Sequence, residues 1–295
     1  MKKPVLLFAL CACIFAGCSK EPKDTSEQQA DCRVTVILSA ASDSKSLLKS
    51  DASVAEEDID RLMIFGVNAS DGIDSIYIIS DPPANNIVPI TVSRKVKSLY
   101  AIANHSVAME ALTPASVADL LAITGDFSAA PQSPFLMGGN GNIIAAGGNY
   151  TASVQLIRAV AKIAVIGKND FTIETVTVKE TPDQGYVFKT EPLSVPAATR
   201  INYNPVASAD PVLYVAENSS ETPTQFLVTG TFDSKPASYT VELKKDGQFV
   251  DIVRNTFYKV HITPITEDEC AVTFSIPDWD DEDTDDHVIP DSAFE

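Results

Sequence analysis

Cys18 is the residue of this chain whose type and setting most clearly predict a chemical modification. It directly follows the small residues Ala16 and Gly17. The segment before them has a basic start at residues 1–3 and an apolar run over residues 4–14. Such a segment is typical of an export signal, and a Cys at the cut is typical of a bacterial lipoprotein. Because the apolar run is too short to span a bilayer, we expect removal of residues 1–17 and diacylation of Cys18. An ordinary signal peptide, or a membrane anchor with an accidental Cys, is the alternative.

The composition of the processed chain limits the number of domains it can form and the kinds of partner it can bind. Removal of residues 1–17 leaves 278 residues, of which 20 are basic and 40 acidic, so the formal charge is −20. A chain of this length is long for one domain and suits two, each with its own core. The negative charge argues against nucleic acid as a partner.

The remaining cysteines and histidines give no sign of an active site. Cys32 and Cys270 either form one disulfide in an oxidising envelope or stay free. The chain has three His and shows no HExxH, GxSxG, P-loop or dinucleotide-binding glycine pattern. We therefore predict a protein that is not an enzyme and that holds no metal ion and no cofactor.

Short strands separated by turn residues predict an all-β protein with a minor helix. Residues 18–31 are a polar tether, followed by β-sandwich domains at 32–160 and 161–279 and by an acidic spacer and tail at 280–295. The helix opens at Thr113 or Ser116. We predict strands at 33–38, 62–67, 73–79, 98–104, 150–166, 171–178, 212–215, 225–231, 238–243, 255–262 and 272–276.

Two regions of the sequence could carry function without being catalytic. The first strand alternates, with Val34, Val36 and Leu38 on one face, and is followed by a loop over 39–58 that is long enough to be functional or disordered. Near the other end, the acidic run at 280–286 is best explained as a self-repelling spacer. A calcium loop is the alternative, although the glycine and spacing of an EF-hand are missing.

Seven segments, in order, resemble motifs of the Bacteroidales fimbrillins, or type V pilins. They cover nearly the whole processed chain: FGV at 65–67 with Gly72, YAIAN at 100–104, PFLMGG at 134–139, VQLIRAVAKI at 154–163, LYVAENS at 213–219, RNTFYKV at 254–260 and IPDW at 276–279. Most of these residues are core or turn positions that fix a fold. We expect Arg158 and Lys162 to be exposed strand residues, and the resemblance places Trp279 in the closing strand.

The resemblance implies two tandem β-sandwich domains of the fimbrillin type and assembly by strand exchange. A protease would cut the loop after the first strand, and Val34, Val36 and Leu38 would leave with the lipid. A C-terminal segment of another subunit would then fill the groove. The candidate donor segment follows the acidic spacer, with anchors at Val288, Ile289 and Phe294.

The chain departs from the family pattern at the expected cut. Polymerising members have Arg in this loop, whereas residues 39–58 contain only Lys45 and Lys49 as basic residues. The next Arg, Arg61, directly precedes a strand. Either a protease that accepts Lys cuts at Lys45 or Lys49, or the chain is never cut and keeps its lipid.

The resemblance implies a structural subunit, minor or accessory, of a cell-surface fimbria that supports adhesion. Its partners would be other fimbrial subunits, outer-membrane lipid through acylated Cys18, and host surface proteins or glycans. The first alternative is an uncleaved, lipid-anchored base or anchor subunit. A second alternative is a glycan-binding β-sandwich lipoprotein, which needs an exposed aromatic platform, and Trp279 is the one Trp available for it.

Overall fold

A computed structural model describes residues 31–40, 56–277 and 279 of the chain. The described residues are almost entirely strands and turns, with one 3₁₀-helix at Val107–Ala111 and one α-helix, α1, at Val117–Leu121. Within this part of the chain, neither helix has the length and apolar character needed to cross a membrane. The first half contributes β1 Cys32–Ala40, β2 Leu62–Asn68, β3 Ile73–Ile79, β4 Ile87–Val92, β5 Val96–Ala103, β6 Thr124–Asp126, β7 Met137–Ala146 and β8 Asn149–Arg158.

Seven of these strands form one sheet in the order β3-β2-β5-β7-β8-β1-β4. Its two edge strands lie close to each other. The hydroxyl of Tyr77 on β3 donates to the carbonyl of Thr91 on β4 at 2.5 Å. Side chains from both edges also pack into the same buried cluster as Val34, Val36 and Leu38. The sheet therefore curls around an inner core.

The central strand β2 is buried on both faces, as expected for its continuous apolar run. Leu62 and Ile64 face the inner core, whereas Met63 and Phe65 face a second cluster on the outside of the sheet. That outer cluster is covered by the two short helices and by residues 187–188 from the second half of the chain.

Two glycines allow β7 to pass close to β8 where the regular pairing of the two strands is interrupted, between Gly138 and Ile143. A Cβ atom on Gly139 or on Gly141 would lie 2.0 Å from a carbonyl oxygen of β8. No side chain fits at that distance, so this approach requires glycine at both positions.

The second half forms a sandwich of two four-stranded sheets, in the orders β14-β10-β16-β17 and β15-β9-β20-β21, around one buried cluster. Asp246 and Gly247 have φ of 51° and 76°, which is the backbone of a two-residue hairpin turn. The strands are β9 Val160–Gly167, β10 Thr172–Lys179, β11 Thr181–Pro182, β12 Gln184–Tyr186, β13 Arg200–Ile201, β14 Val206–Ala207, β15 Val212–Ala216, β16 Gln225–Phe232, β17 Lys235–Glu242, β18 Lys244–Lys245, β19 Gln248–Phe249, β20 Phe257–Pro264 and β21 Cys270–Ser275.

The two halves interlock, because residues 181–188 reach back onto the first half. Strand β12 pairs with β6, and the amide of Val187 donates to the carbonyl of Ile123 at 2.9 Å. The buried Arg254 holds this segment, donating to the carbonyl of Val187 at 2.9 Å and to the carboxylate of Glu217 at 2.8 Å. The domain boundary after residue 160 stays a prediction.

The structure confirms the all-β fold and corrects one detail of the prediction, the position of Trp279. Helix α1 begins where expected, with Ser116 as its N-cap in a capping box with Asp119. Strand β21 ends at Ser275, so Trp279 does not belong to the closing strand. Cys32 and Cys270 are both free.

Candidate functional site

The first strand, β1, lies inside the sheet, paired on both sides. It runs parallel to β8, with Val34 opposite Tyr150 and Ala40 opposite Leu156. On its other side it runs antiparallel to β4. Because β1 separates β4 from β8, its removal would open a groove between these two strands.

The side chains of β1 alternate as the sequence predicts. Val34, Val36 and Leu38 are at most 4 % exposed, whereas Ile37 is 42 % exposed. Burial of one such aliphatic side chain contributes about 1.5–3 kcal/mol, so the three buried side chains together contribute about 5–9 kcal/mol. Whatever fills the groove must replace this apolar contact, and an empty groove would leave two unpaired strand edges.

Strand β4 has independent connections to the body of the sheet. The chain links it to β3 on one side and to β5 on the other, and Tyr77 bonds it across the open side of the sheet. The groove walls therefore keep covalent and hydrogen-bonded support without β1.

A carboxylate at the end of the 39–58 loop lies buried at the junction of the two halves. Glu56 is 3 % exposed. Its carboxylate accepts a hydrogen bond from the indole Nε1 of Trp279 at 3.1 Å and another from the hydroxyl of Tyr214, and it lies 3.3 Å from Nζ of Lys162. Its carbonyl accepts from Nε of Arg158 at 3.2 Å. We call Glu56, Arg158, Lys162, Tyr214 and Trp279 the junction cluster.

Neighbouring residues position Glu56. The side chain of Asn104, in the YAIAN segment, donates to the carbonyl of Asp58 at 2.8 Å and accepts from the amide of Asp60 at 2.8 Å. The backbone that leads from the loop into β2 is thereby fixed.

The cationic members of the junction cluster contradict the expectation that they are exposed. Arg158 is fully buried, and the side chain of Lys162 is 17 % exposed. The guanidinium of Arg158 lies 4.6 Å from the centre of the Trp279 ring, and Nζ of Lys162 lies 5.7 Å from it. Both cations therefore contact an aromatic face as well as the backbone or side chain of Glu56.

The electrostatics of the cluster favour a protonated Tyr214. Burial raises the pKa of Tyr214 above its usual value of 10, and the hydrogen bond to Glu56 and its charge raise it further. The tyrosine therefore stays neutral and acts as a hydrogen-bond donor to Glu56. The members of the cluster hold one another through hydrogen bonds, an ion pair and cation–π contacts, which is the chemistry of a structural clamp.

The structure describes only some of the predicted site residues. Val34, Val36 and Leu38 lie together on the inner face of β1. The other predicted site residues lie outside the described residues: Cys18, Lys45, Lys49, Val288, Ile289 and Phe294. Among the described residues, no group of three or more His, Cys, Asp or Glu side chains is arranged to hold a metal ion.

No feature of the sequence indicates that Glu56 and Tyr214, two members of the junction cluster, contact each other. Glu56 lies in a stretch of small and acidic residues, where a glutamate is normally solvated. Its partners Tyr214 and Trp279 are 158 and 223 positions away in the chain, so no local spacing connects them.

Comparison with solved structures shows the same fold in several surface proteins. A candidate cell adhesion protein from Bacteroides eggerthii superposes with a TM-score of 0.63 at 18 % identity, covering 84 % of this chain and 96 % of that one. The tip fimbrial protein Mfa3 from Porphyromonas gingivalis gives a TM-score of 0.58 at 14 % identity, covering 85 % and 100 %. A fimbrilin, FimA, from Porphyromonas gingivalis gives 0.56 at 14 % identity, covering 84 % and 97 %. A search of curated proteins gave no match.

Fold and sequence together define a structural fimbrial protein of the cell surface, a subunit or an anchor, and not an enzyme. The chain belongs to the family of fimbrillin-A associated anchor proteins Mfa1 and Mfa2, whose profile matches residues 116–285. The resemblance to the fimbrillins is confirmed, and so is the β-sandwich fold.

Proposed function

We propose that this chain is a minor or accessory fimbrial subunit that assembles by donor-strand exchange. Cleavage in the loop after β1 would release that strand, and the tail of another copy, anchored by Val288, Ile289 and Phe294, would fill the groove. The observation that carries the proposal is the position of β1. It is an internal strand whose three inward side chains are buried, and it precedes every other strand in the part of the chain that the structure describes.

The physical basis of the exchange is β-augmentation. An incoming strand restores the main-chain hydrogen bonds to β8 and β4, and its alternate side chains fill the positions of Val34, Val36 and Leu38. Two unpaired edges then become paired, which removes an aggregation hazard. The lipid on Cys18 would leave with β1, because both lie on the same side of the cut.

The runner-up function is an uncleaved base or anchor that remains attached to outer-membrane lipid through Cys18. Two observations favour it. The family includes anchor proteins by its description, and the loop contains no Arg. Arg61 is no substitute, because its guanidinium pairs with Glu110 at 3.2 Å directly before β2.

Adhesion to host proteins or glycans is the further role that we propose for the assembled fimbria, because a similar solved structure is described as a candidate cell adhesion protein. The glycan-binding alternative loses its main support, because Trp279 is 1 % exposed. A buried indole offers no face on which a sugar ring stacks.

Mass spectrometry of the chain recovered from cells tests the proposal. Copies that begin after Lys45 or Lys49, found together with SDS-resistant ladders, support exchange. A Lys45→Ala/Lys49→Ala variant should lose both the cut and the ladders, whereas Lys168→Ala, outside the loop, should keep them. An acylated Cys18 in every molecule would contradict the polymerising role and favour the anchor.

A further inference from the structure

The turn between β4 and β5 is a basic site on an acidic protein. Arg94, Lys95 and Lys97 are all exposed, in a chain with 22 basic and 40 acidic residues. Nζ of Lys97 donates to the carbonyl of Arg94 at 3.1 Å. None of the three cations forms a salt bridge with an acidic residue in the part of the chain that the structure describes. We call residues 93–97 the basic turn.

The basic turn lies where β1 begins. Cys32, the first residue of β1, pairs with Val92, directly before the turn. An open cavity of about 280 Å³ adjoins this end of the strand and is lined by Cys32, Arg94, Lys97 and Tyr150 among others. An occupant of the β1 groove that extends beyond Cys32 would therefore meet two cations of the turn.

Within residues 31–40 and 56–277, the opposite end of β1 offers no comparable group of unpaired cations. Ala40, the last residue of β1, pairs with Leu156 on β8. Arg158 lies two residues further along β8, where it donates to the carbonyl of Glu56 and lies 3.9 Å from the carboxylate of Glu57. The segment 80–86, whose Asn86 carbonyl accepts from the amide of Leu38, contributes the exposed Asp81. The cations without an acidic partner thus lie where β1 begins, whereas at its other end the cation Arg158 is already paired with Glu57 and the exposed charge is that of Asp81.

The C-terminal tail of the chain also has its charge concentrated at one end. Six of the seven residues at 280–286 are acidic, and this acidic run directly precedes the candidate donor segment 287–295. A donor that runs in the direction of β1 places the acidic run at the basic turn. A donor that runs the other way places it away from the basic turn, at the end of the groove where the segment 80–86 carries the exposed Asp81.

We propose that the acidic run 280–286 of one copy docks on the basic turn of the next, and that this contact makes the donor strand run in the direction of β1, parallel to β8. The inference rests on the strand exchange proposed above and adds its direction and its electrostatic docking site. Seven residues reach at most about 25 Å, which limits the distance between Trp279 of the donor copy and the basic turn of the acceptor. Charge complementarity of this kind speeds encounter and fixes register.

The first test reverses the charges in the full chain. The triple variant Arg94→Glu/Lys95→Glu/Lys97→Glu should form SDS-resistant ladders about tenfold more slowly at low salt, and the difference should vanish near 1 M salt, where the Debye length is about 3 Å. The matched control Lys235→Glu/Lys244→Glu/Lys245→Glu changes the net charge equally and should assemble at the normal rate. Reversal of three acids in the tail should rescue the triple variant.

The second test reads the strand direction with engineered disulfides, in a Cys270→Ser background. Thr284→Cys should cross-link between copies with Lys95→Cys and should not cross-link with Asn86→Cys, at the other end of the groove. Ladders whose copies join through residues 284 and 86 would overturn the direction and leave strand exchange intact. Absence of ladders and of both cross-links in processed protein would overturn the inference and the proposed function together.

Discussion

Replacement of Glu56 by Gln should destabilise the junction far more than a single surface-loop substitution normally does. The change keeps the shape of the side chain but removes the charge that faces Lys162 at 3.3 Å and that accepts hydrogen bonds from Trp279 and Tyr214. A hydrogen bond to a charged group contributes about 1.5–3 kcal/mol, and breaking a buried ion pair costs about 3–5 kcal/mol. Because Lys162 is partly exposed and an amide oxygen still accepts one bond, we expect a loss of about 3 kcal/mol in the free energy of unfolding.

The adjacent residue gives a matched control. The side chain of Glu57 is 40 % exposed and lies 3.9 Å from Arg158. The separation is at the limit of an ion pair, and Arg158 keeps its bonds to the carbonyl of Glu56 and to Asn255, so Glu57→Gln should cost at most about 1 kcal/mol in the free energy of unfolding.

Two assays follow the change. Urea unfolding monitored by far-UV circular dichroism gives the free energy of unfolding. Because the chain has a single Trp, the fluorescence of Trp279 reports on the junction cluster directly, and its emission should shift to longer wavelength in Glu56→Gln. A double-mutant cycle with Trp279→Phe should give a coupling energy of about 1 kcal/mol or more. Equal effects of the Glu56 and Glu57 variants, with unchanged Trp emission, would refute the reasoning.

Four further substitutions test the packing of the fold by urea unfolding. Gly139→Ala should destabilise the protein by about 1–3 kcal/mol, because the new methyl group would overlap the backbone of β8. Val36→Ala, on the buried face of β1, should lower the free energy of unfolding by about 2 kcal/mol. Ile37→Ala, on its exposed face, should lower it by less than about 0.5 kcal/mol. Equal losses would contradict the orientation of β1. Glu217→Gln should cost about 3–5 kcal/mol by leaving the buried charge of Arg254 without its carboxylate, and a neutral result would show that the carbonyls around Arg254 suffice.

Much of the fold was predictable from local patterns, because alternation and apolar runs report burial directly. The alternation of β1 predicted that Val34, Val36 and Leu38 share one face, and the apolar run at 62–67 predicted the strand β2. Strands β4 and β7 were not predicted, and Pro89 in β4 is a residue that normally argues against a strand. The proline is tolerated there, since β4 is an edge strand that pairs only with β1.

The junction cluster was less predictable, for two different reasons. Arg158 continues the inward-facing series of Ala152, Val154 and Leu156 on β8, so the period-two pattern did indicate its burial. The expectation of exposure followed the general rule that charged side chains stay in water, and the partners that override this rule lie on distant segments. Glu56 carries no such pattern, because its burial depends on Trp279 and Tyr214, which the fold alone brings together.

If strand exchange occurs as proposed, the junction cluster affects which copies can serve as an anchor and which as a filament subunit. Glu56 lies after both candidate cleavage sites, Lys45 and Lys49, so it stays with the body when β1 leaves. The bond from Glu56 to Trp279, directly before the tail, does not involve β1. Trp279 would therefore be held in the same way in cut and uncut copies. Cleavage would decide whether a copy accepts a strand, but not whether it donates one. An uncut copy would then donate its tail, accept none and keep its lipid, which places it at one end of a filament, at the membrane.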